Sequence, residues 1–455
     1  MMKCSCFLSA LSVLVLAELS MATATTEEAL LKWNRQTLAR DYERAGTRNP
    51  KWDSQATNAL EAFARMRAIR SEPGTNLWNQ FSEAVRAAMA AGCNDPLIRY
   101  LHVRAVGNEG GEDPKTSANE QRFAAHAMLN SGYSHVRRFY ACIRAAAALK
   151  ATVPSGKPYP TDVSRFRYAA ATNITDMIRD KSTPLEEAFD AFWEWMSHLD
   201  ANPKQFGEYC LHAEKLISER WPNEALAWYA RGEMYVRYAW DGRSAQYADK
   251  VTPEQWKAFE ERLPVAEKAL QKAWELDPKD GRIAARMITV MMGLNKPRRE
   301  MEKWFERAMN ADTNNYTACD RKRYYLEPKW HGSAEEMLAF GRECLRSTNW
   351  AGRVPLVLVD THDALARYLP KEKRSEYWTS SPERWRDVKE SFEKFFKLYP
   401  DAIGWRHNYA RYAYWCEQWN DLKKQIALLG PLNYDYFGGK AEYEKMVSLA
   451  KERAN

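Results

Sequence analysis

Apolar residues recur at intervals of three and four along almost the whole chain. Phe189, Phe192, Trp193, Met196 and Leu199 form one such stripe, the spacing that gathers side chains on one face of an α-helix. Ala-rich stretches such as Ala141 to Leu149 add helix propensity. No sustained alternating, β-branched run bounded by hairpin turns interrupts the pattern. Val354 to Val359 is the best strand candidate, but it runs straight into a helical pattern through Ala364 and Tyr368. It reads as a helix start or a linker. The pattern therefore predicts a nearly all-α chain. Residues 27–180 give about seven helices, parted by Glu72-Pro73-Gly74, by Gly92-Cys93-Asn94-Asp95-Pro96 and by Gly110-Gly111-Glu112-Asp113-Pro114. Asp95 before Pro96 is a predicted N-cap with proline in the first turn. Pro154 to Pro160 holds three prolines and a glycine and is the linker candidate.

From Pro184 onward the pattern repeats. Trp228, Gly232 and Tyr235 stand as W-x-x-x-G-x-x-Y, and Ala266, Leu270, Ala273 and Pro278 as A-x-x-x-L-x-x-A-x-x-x-x-P. These resemble the two halves of a tetratricopeptide helix pair. Gly232, Ala266 and Ala273 are small where helices must approach closely, and aromatic residues fill the gaps beside them. Tyr235 to Ala266 is 31 residues where about 9 suffice. The excess, Tyr238 to Leu263, reads as an insertion carrying Trp240-Asp241-Gly242-Arg243 and the helix start Thr252-Pro253-Glu254. Insertions of this kind map to one face, often the binding face. The 4-3-5 spacing returns at Met301, Phe305, Ala308 and Thr313, and Pro278 to Thr313 is 35 residues, near the ~34-residue repeat. A further pair, Tyr316 to Leu345, is broken by Glu327 to Gly332, after which Ser333 and Glu336 form a capping box. Val388, Phe392, Phe395 and Pro400 repeat the spacing. Trp405, Tyr409 and Tyr412 restart it, and Leu422, Ile426 and Leu429 close the last hairpin. Arg231 departs from the repeat, which usually has leucine there.

Leu326-Glu327-Pro328-Lys329-Trp330-His331-Gly332-Ser333 resembles L-x-P-[RK]-W-x-G-S, a motif of a bacterial exported family of unknown function related to tetratricopeptide proteins. Tyr238-Ala239-Trp240-Asp241-Gly242-Arg243 shares that likeness, and Gly92 to Leu97 looks similar to a turn in such proteins. The resemblance covers roughly 185–350. It implies fold and export and brings no catalytic residues. The expected fold class is an all-α, tetratricopeptide-like solenoid of stacked helical hairpins. The expected organisation is a signal peptide at 1–24, an N-terminal helical region at 25–153, and a linker with connecting helix at 154–183. A repeat domain at 184–350 with its insertion at 238–263 and C-terminal hairpins at 351–455 follow.

The signal peptide is read from Lys3, the apolar run Phe7 to Ala17 and the small-x-small site Ala22-Thr23-Ala24. That run is about half the ~20 residues of a membrane helix, so the expected location is secreted or periplasmic. Cleavage removes Lys3 and Glu18 and leaves the net charge at +7. Outside the cell this mild bias fits an acidic partner or an acidic wall polymer; with no nucleic-acid motif present, no nucleic-acid partner is expected. Six cysteines remain, scattered without C-x-x-C, which disfavours zinc. They read mostly as small buried residues, although Cys319 and Cys344 are expected on partner helices of one hairpin.

Neither H-E-x-x-H, nor G-x-S-x-G, nor a glycine-rich phosphate loop appears. His331 is the best lone candidate for chemistry, and a structural turn seating Trp330 is the preferred reading. His362-Asp363 reads as a helix-surface pair. Glu186-Glu187 and Glu335-Glu336 sit in first turns, where the helix dipole favours them. Most of the 18 tryptophans, including Trp193, Trp228, Trp274, Trp304 and Trp405, fall at core spacing; Trp240, Trp330, Trp350 and Trp378 fall in breaks. Pro297-Arg298-Arg299 and Arg321-Lys322-Arg323 suit carboxylate or phosphate, with a solvated helix face as the commoner explanation. Asn173 and Asn315 begin N-x-T sequons. No cofactor, metal or enzymatic activity is expected. The expected role is a scaffold binding a protein or peptide segment along the first helices of the repeats, bordered by Arg231, Trp240, Arg243, Arg321 and Trp330. Envelope-polysaccharide binding and a hydrolase on helical hairpins stay open as alternatives.

Overall fold

The computed structural model describes residues 27–69, 76–107, 113–154, 156–198, 203–244, 246, 248–429, 432 and 434–454. The expected signal segment, the turns at Glu72 to Gly74 and Gly110 to Glu112, and Leu199 lie outside them. Among the described residues every regular element is helical and no strand occurs. The fold is an all-α, tetratricopeptide-like stack of helical hairpins, arranged as two compact units that meet in sequence at Arg220 and Trp221. That division falls inside the expected 184–350 block rather than at the proline-rich segment 154–160.

Unit 1 begins with α1 (residues 27–45). Four hairpins follow: α2 (Asp53–Ala68) with α3 (Leu77–Ala90), α4 (Pro96–Gly107) with α5 (Pro114–Leu129), α6 (His135–Ala151) with α7 (Thr161–Arg179), and α8 (Leu185–His198) with α9 (Pro203–Arg220). Asp95 caps α4 as expected, accepting from the Leu97 and Ile98 amides at 2.9 and 3.1 Å. The same carboxylate also accepts from the Thr47 amide and the Tyr133 hydroxyl, each at 2.8 Å. One buried side chain thus ties three segments together. Gly92 precedes it at φ +85°, a conformation that glycine alone adopts freely.

Unit 2 stacks α10 (Ala225–Arg243) and α11 (Pro253–Leu276), α12 (Gly281–Gly293) and α13 (Arg298–Ala311), and α14 (Tyr316–Tyr325) and α15 (Ala334–Arg346). Then come α16 (Val357–Tyr368), the short α17 (Arg374–Thr379), α18 (Pro382–Leu398), α19 (Ile403–Trp415), α20 (Trp419–Ala427) and α21 (Lys440–Arg453). Val354–Leu356 is a 3-10 turn leading into α16, so the strand candidate is a helix start. Gly232 gives α10 its close approach to α11, because a Cβ there would stand 2.5 Å from the Leu270 side chain. Ala266, Leu270 and Ala273 are fully buried, as the repeat spacing implies.

The expected insertion at 238–263 is helical at both ends. Most of it lengthens the two helices: α10 continues to Arg243 and α11 starts at Pro253, capped by a reciprocal Thr252–Gln255 box. With 19 and 24 residues the helices run ~28 and ~36 Å, against ~20 Å for the 13-residue α12. Gly242, which reads as a turn, stays helical where its missing side chain makes room for the Arg262 guanidinium, 2.5 Å from a Cβ position. At the other end, α21 extends the fold beyond the hairpin expected to be last, and its Met446 and Ala450 complete the core around Phe392, Phe395 and Tyr409.

Several surface expectations are also corrected. His362 is buried, its ring nitrogens 2.9 Å from the Tyr377 hydroxyl and 3.2 Å from Asp387, while Asp363 accepts from Tyr412 at 2.5 Å. Glu187 stands in the first turn of α8 as expected, and it is fully buried against Arg67. Trp193, expected in the core, is 43% exposed. Ser333 caps α15, but the Glu336 carboxylate pairs with Arg298. The sequon asparagines are buried: Asn173 donates to the Ala169 carbonyl, and Asn315 caps α14 while donating to the Gly281 carbonyl.

Candidate functional site

In unit 2 the first helices of successive hairpins lie side by side, α10 against α12, α12 against α14, and α14 against α16. Residues four apart on a helix share a face. Tyr229 and Glu233 therefore point the same way from α10, and Arg282 and Arg286 do so from α12. The Tyr229 hydroxyl donates to Glu233 at 2.7 Å. Arg286 forms an ion pair with the same carboxylate, whose side chain is 1% exposed. Arg282 lies over the Tyr229 ring at 5.6 Å and is held by Asp280 at 2.6 Å.

Arg321, on α14, comes to this cluster. It is half-buried, and no hydrogen bond or ion pair to another described residue engages its guanidinium. Its sequence neighbours are spoken for: Asp320 pairs with Arg323 at 2.8 Å, Lys322 with Glu302 at 2.7 Å, and Arg323 with Glu327 at 3.0 Å. Lys322 and Arg323 are buried, so this basic triplet is not a solvated face. Burial pushes Arg321 down to about 10, and repulsion from Arg286 adds to the shift. Burial also acts to raise Glu233, but the Arg286 and Arg321 guanidiniums outweigh it and hold that carboxyl below the usual range. Two guanidiniums thus share one carboxylate, which leaves the cluster one positive charge in excess. Such an arrangement can accept a further anion, and arginine forks suit a carboxylate well.

A second group forms at the far end of the elongated hairpin. Trp240 meets Trp330 edge-on at 5.5 Å and Phe259 at 4.9 Å. The Arg243 guanidinium lies among Trp256, Trp240 and Trp330 at 4.8, 5.5 and 5.8 Å. It also donates to the Gln246 and Ser244 carbonyls at 3.1 and 3.2 Å. Arg243 is 5% exposed, and burial holds it below its ordinary value. The L-x-P-[RK]-W-x-G-S turn therefore plugs the tip of the α10–α11 hairpin. Gly332 permits the tight turn, because a Cβ there would run into the Leu326 carbonyl. His331 stacks on Tyr325 at 4.5 Å and lies 3.3 Å from the Met292 carbonyl. Among the described residues it meets no carboxylate.

The structure brings Trp240, Arg243 and Trp330 together and places Arg321 in the other cluster. Arg231 lies over Trp228 and Tyr235 on its own helix at 5.7 and 5.9 Å. Sequence reasoning missed Tyr229, Glu233 and Arg286, and the available signal was the paired four-residue spacing on α10 and α12. Among the described residues no group of three or more His, Cys, Asp or Glu side chains is arranged to hold a metal. A cleft of about 340 Å³ lined by Glu267, Lys296, Glu300 and Lys303 shares no residue with either cluster. Four of its charges are paired, Lys296 with Glu267 at 3.4 Å and Lys303 with Glu300 at 3.1 Å, and its fifth, Arg307, lies over the Trp304 ring at 4.3 Å.

The fold and these clusters define a class, the helical-hairpin repeat proteins. No family model matches the chain, and no curated protein matches it. A solved structure with a similar course is that of the human IFIT1 dimer with m7Gppp-AAAA. It is 11% identical, covers 92% of this chain and 94% of that chain, and has a TM-score of 0.32. A likeness at that level says nothing about ligands.

Proposed function

We propose that the chain is an exported scaffold that binds a protein segment along the first helices of unit 2, seating a carboxylate of that segment on Arg321 and Arg286. The observation that carries this reading is the half-buried Arg321 guanidinium beside an ion pair that already occupies Arg286. A desolvated cation without a partner is unfavourable, and an incoming carboxylate removes that cost. An extended segment suits a row of parallel helices, since many shallow contacts add up. Export rests on the N-terminal apolar run. The family resemblance is supported by the packing of its two motifs, Tyr238 to Arg243 and Leu326 to Ser333, against each other. No helix of the described residues is long and apolar enough to cross a membrane.

Sugar binding needs an exposed row of ring faces at Trp240, Trp330, Trp350 and Trp378. Trp378 is 5% exposed, Trp350 is half-buried edge-on to Phe305, and Trp240 and Trp330 pack on each other. Hydrolysis needs carboxylates or His331 converging in a pocket, and His331 is spent on Tyr325 and Met292. Peptide binding is therefore preferred. The test is fluorescence anisotropy with labelled peptide libraries that differ in acidic residues, with wall polymer and single-stranded oligonucleotide as competitors. Acidic peptides are expected to bind, more weakly as salt rises, with affinity falling ~10–100-fold in Arg321→Met. Equal binding of neutral and acidic peptides, or preferential capture of polymer or oligonucleotide, overturns the proposal.

A further inference from the structure

Three sulfur atoms meet in the core of unit 2, each from a different helix. Met309 lies on α13, Cys319 on α14 and Cys344 on α15. The Cys319 thiol donates to the Met309 sulfur at 3.6 Å, and Cys344 lies near enough to Cys319 for the two thiols to interact. Both cysteines are fully buried and neither is cross-linked. The other described cysteines, Cys93, Cys142 and Cys416, are buried without a hydrogen bond to another cysteine.

We propose that Cys319 and Cys344 are a disulfide site, closed as the chain folds in an oxidising compartment, and that the bond ties α14 to α15. Neither the Arg321 reading nor its failure bears on this. In the reaction, the thiolate of one cysteine attacks a disulfide oxidant of the glutathione class and expels one thiolate. The thiolate of the second cysteine then attacks the protein sulfur of the mixed disulfide and expels the other. One S–S bond forms between the cysteines, and one in the oxidant breaks. Two electrons and two protons pass to the oxidant, which leaves as two thiols. Thiolate is the reacting form. Burial pushes the Cys344 thiol up, and the packed core excludes a reagent, so the exchange belongs to the folding chain rather than to the finished fold. The bond would close a loop around the Trp330 turn and fix the hairpin that carries Arg321.

The full chain is reduced and unfolded, refolded in a buffer of reduced and oxidised glutathione, quenched in acid, alkylated in denaturant and mapped by mass spectrometry. The expected product is a Cys319–Cys344 linked peptide in most molecules, with Cys93, Cys142 and Cys416 alkylated. The linked chain is expected to melt roughly 5 °C above the same chain after reduction. The proposal is overturned if Cys319 and Cys344 are alkylated as fully as Cys93, Cys142 and Cys416, or if the linked and reduced chains melt together.

Discussion

Arg67 in unit 1 and Arg321 in unit 2 have similar surroundings. Each projects from the first helix of a hairpin toward tyrosine and other arginines, yet only Arg67 forms ion pairs with carboxylates. In unit 1, Arg67 reaches Glu187 at 2.9 Å, Asp190 at 3.4 Å and the Tyr140 hydroxyl at 3.0 Å. Arg144 pairs with Glu194 at 2.8 Å, and Arg104 lies over the Phe63 ring at 5.3 Å within the field of Glu194. Three guanidiniums thus face three carboxylates, all supplied by α8. In unit 2, Arg286 and Arg321 face Glu233 alone. In the first cluster Arg67 and Arg144 are paired within the fold, while Arg104, whose Nε has no hydrogen-bond partner, rests on the Phe63 ring. The second leaves a cation to be satisfied from outside.

If that contrast is right, the largest loss of stability comes from opening unit 1. Arg67→Met strands Glu187, whose side chain is fully buried, and is expected to cost about 3–5 kcal/mol, read as a fall in the urea midpoint. A loss below ~1 kcal/mol would mean that the closed network contributes little and that the contrast is one of appearance. Unit 2 should be more sensitive to packing than to its inner charges. Gly232→Leu drives a side chain into Leu270 at the α10–α11 contact and is expected to cost about 3 kcal/mol. An unchanged melting temperature would show that α10 and α11 can part without penalty.

That hairpin was legible because close helix approach demands small residues at fixed spacing, and Gly232, Ala266 and Ala273 carry that demand locally. The elongation was not. Asp241 and Gly242 look like a turn until Arg262, 20 positions later, is seen to fill the space beside Gly242. Trp240, Arg243 and Trp330 could be singled out as residues of chain breaks, but nothing local says that positions 240 and 330 touch. Glu233 and Arg286 were overlooked for a related reason: each alone is an ordinary polar position on a helix, and their meaning arises only when α10 and α12 stack. α21 was missed because its buried residues, Met446 and Ala450, are too few to draw a stripe.

Titration offers a smaller effect, opposite in sign at one carboxyl of each unit. On α16, Asp360 is pushed up to about 6, first by burial and then by Asp320 and Asp363, against the Tyr316 hydroxyl and Arg323. Its folded pKa exceeds the unfolded value near 3.8, so between those two values the folded state binds more protons. Its contribution therefore rises as pH falls from 7 toward 4, by on the order of 2 kcal/mol. Glu194 in unit 1 behaves oppositely. Burial acts to raise it, but the His198 hydrogen bond and the Arg144 and Arg104 charges outweigh that and leave it lowered, so its contribution is present above its unfolded pKa and lost in acid. Plotting the unfolding free energy of wild type minus Asp360→Asn against pH should give a curve that climbs toward acid. A flat curve would remove Asp360 from the comparison.

The smallest stability change, and the one that most sharpens the contrast, is expected from Arg321→Met. Methionine keeps an apolar stem in the space that the arginine stem fills and removes a cation that burial and Arg286 both disfavour. Because no bond within the described fold is lost, stability should shift by less than ~0.5 kcal/mol or rise by up to ~1 kcal/mol. The same variant should lose binding of acidic peptides. Arg67→Met and Arg321→Met would then differ in kind: one arginine sustains the fold without meeting a ligand, and the other meets a ligand without sustaining the fold. A urea midpoint for Arg321→Met that falls as far as that for Arg67→Met would show that Arg321 has a partner within the protein, and the distinction between a closed and an open cluster would collapse.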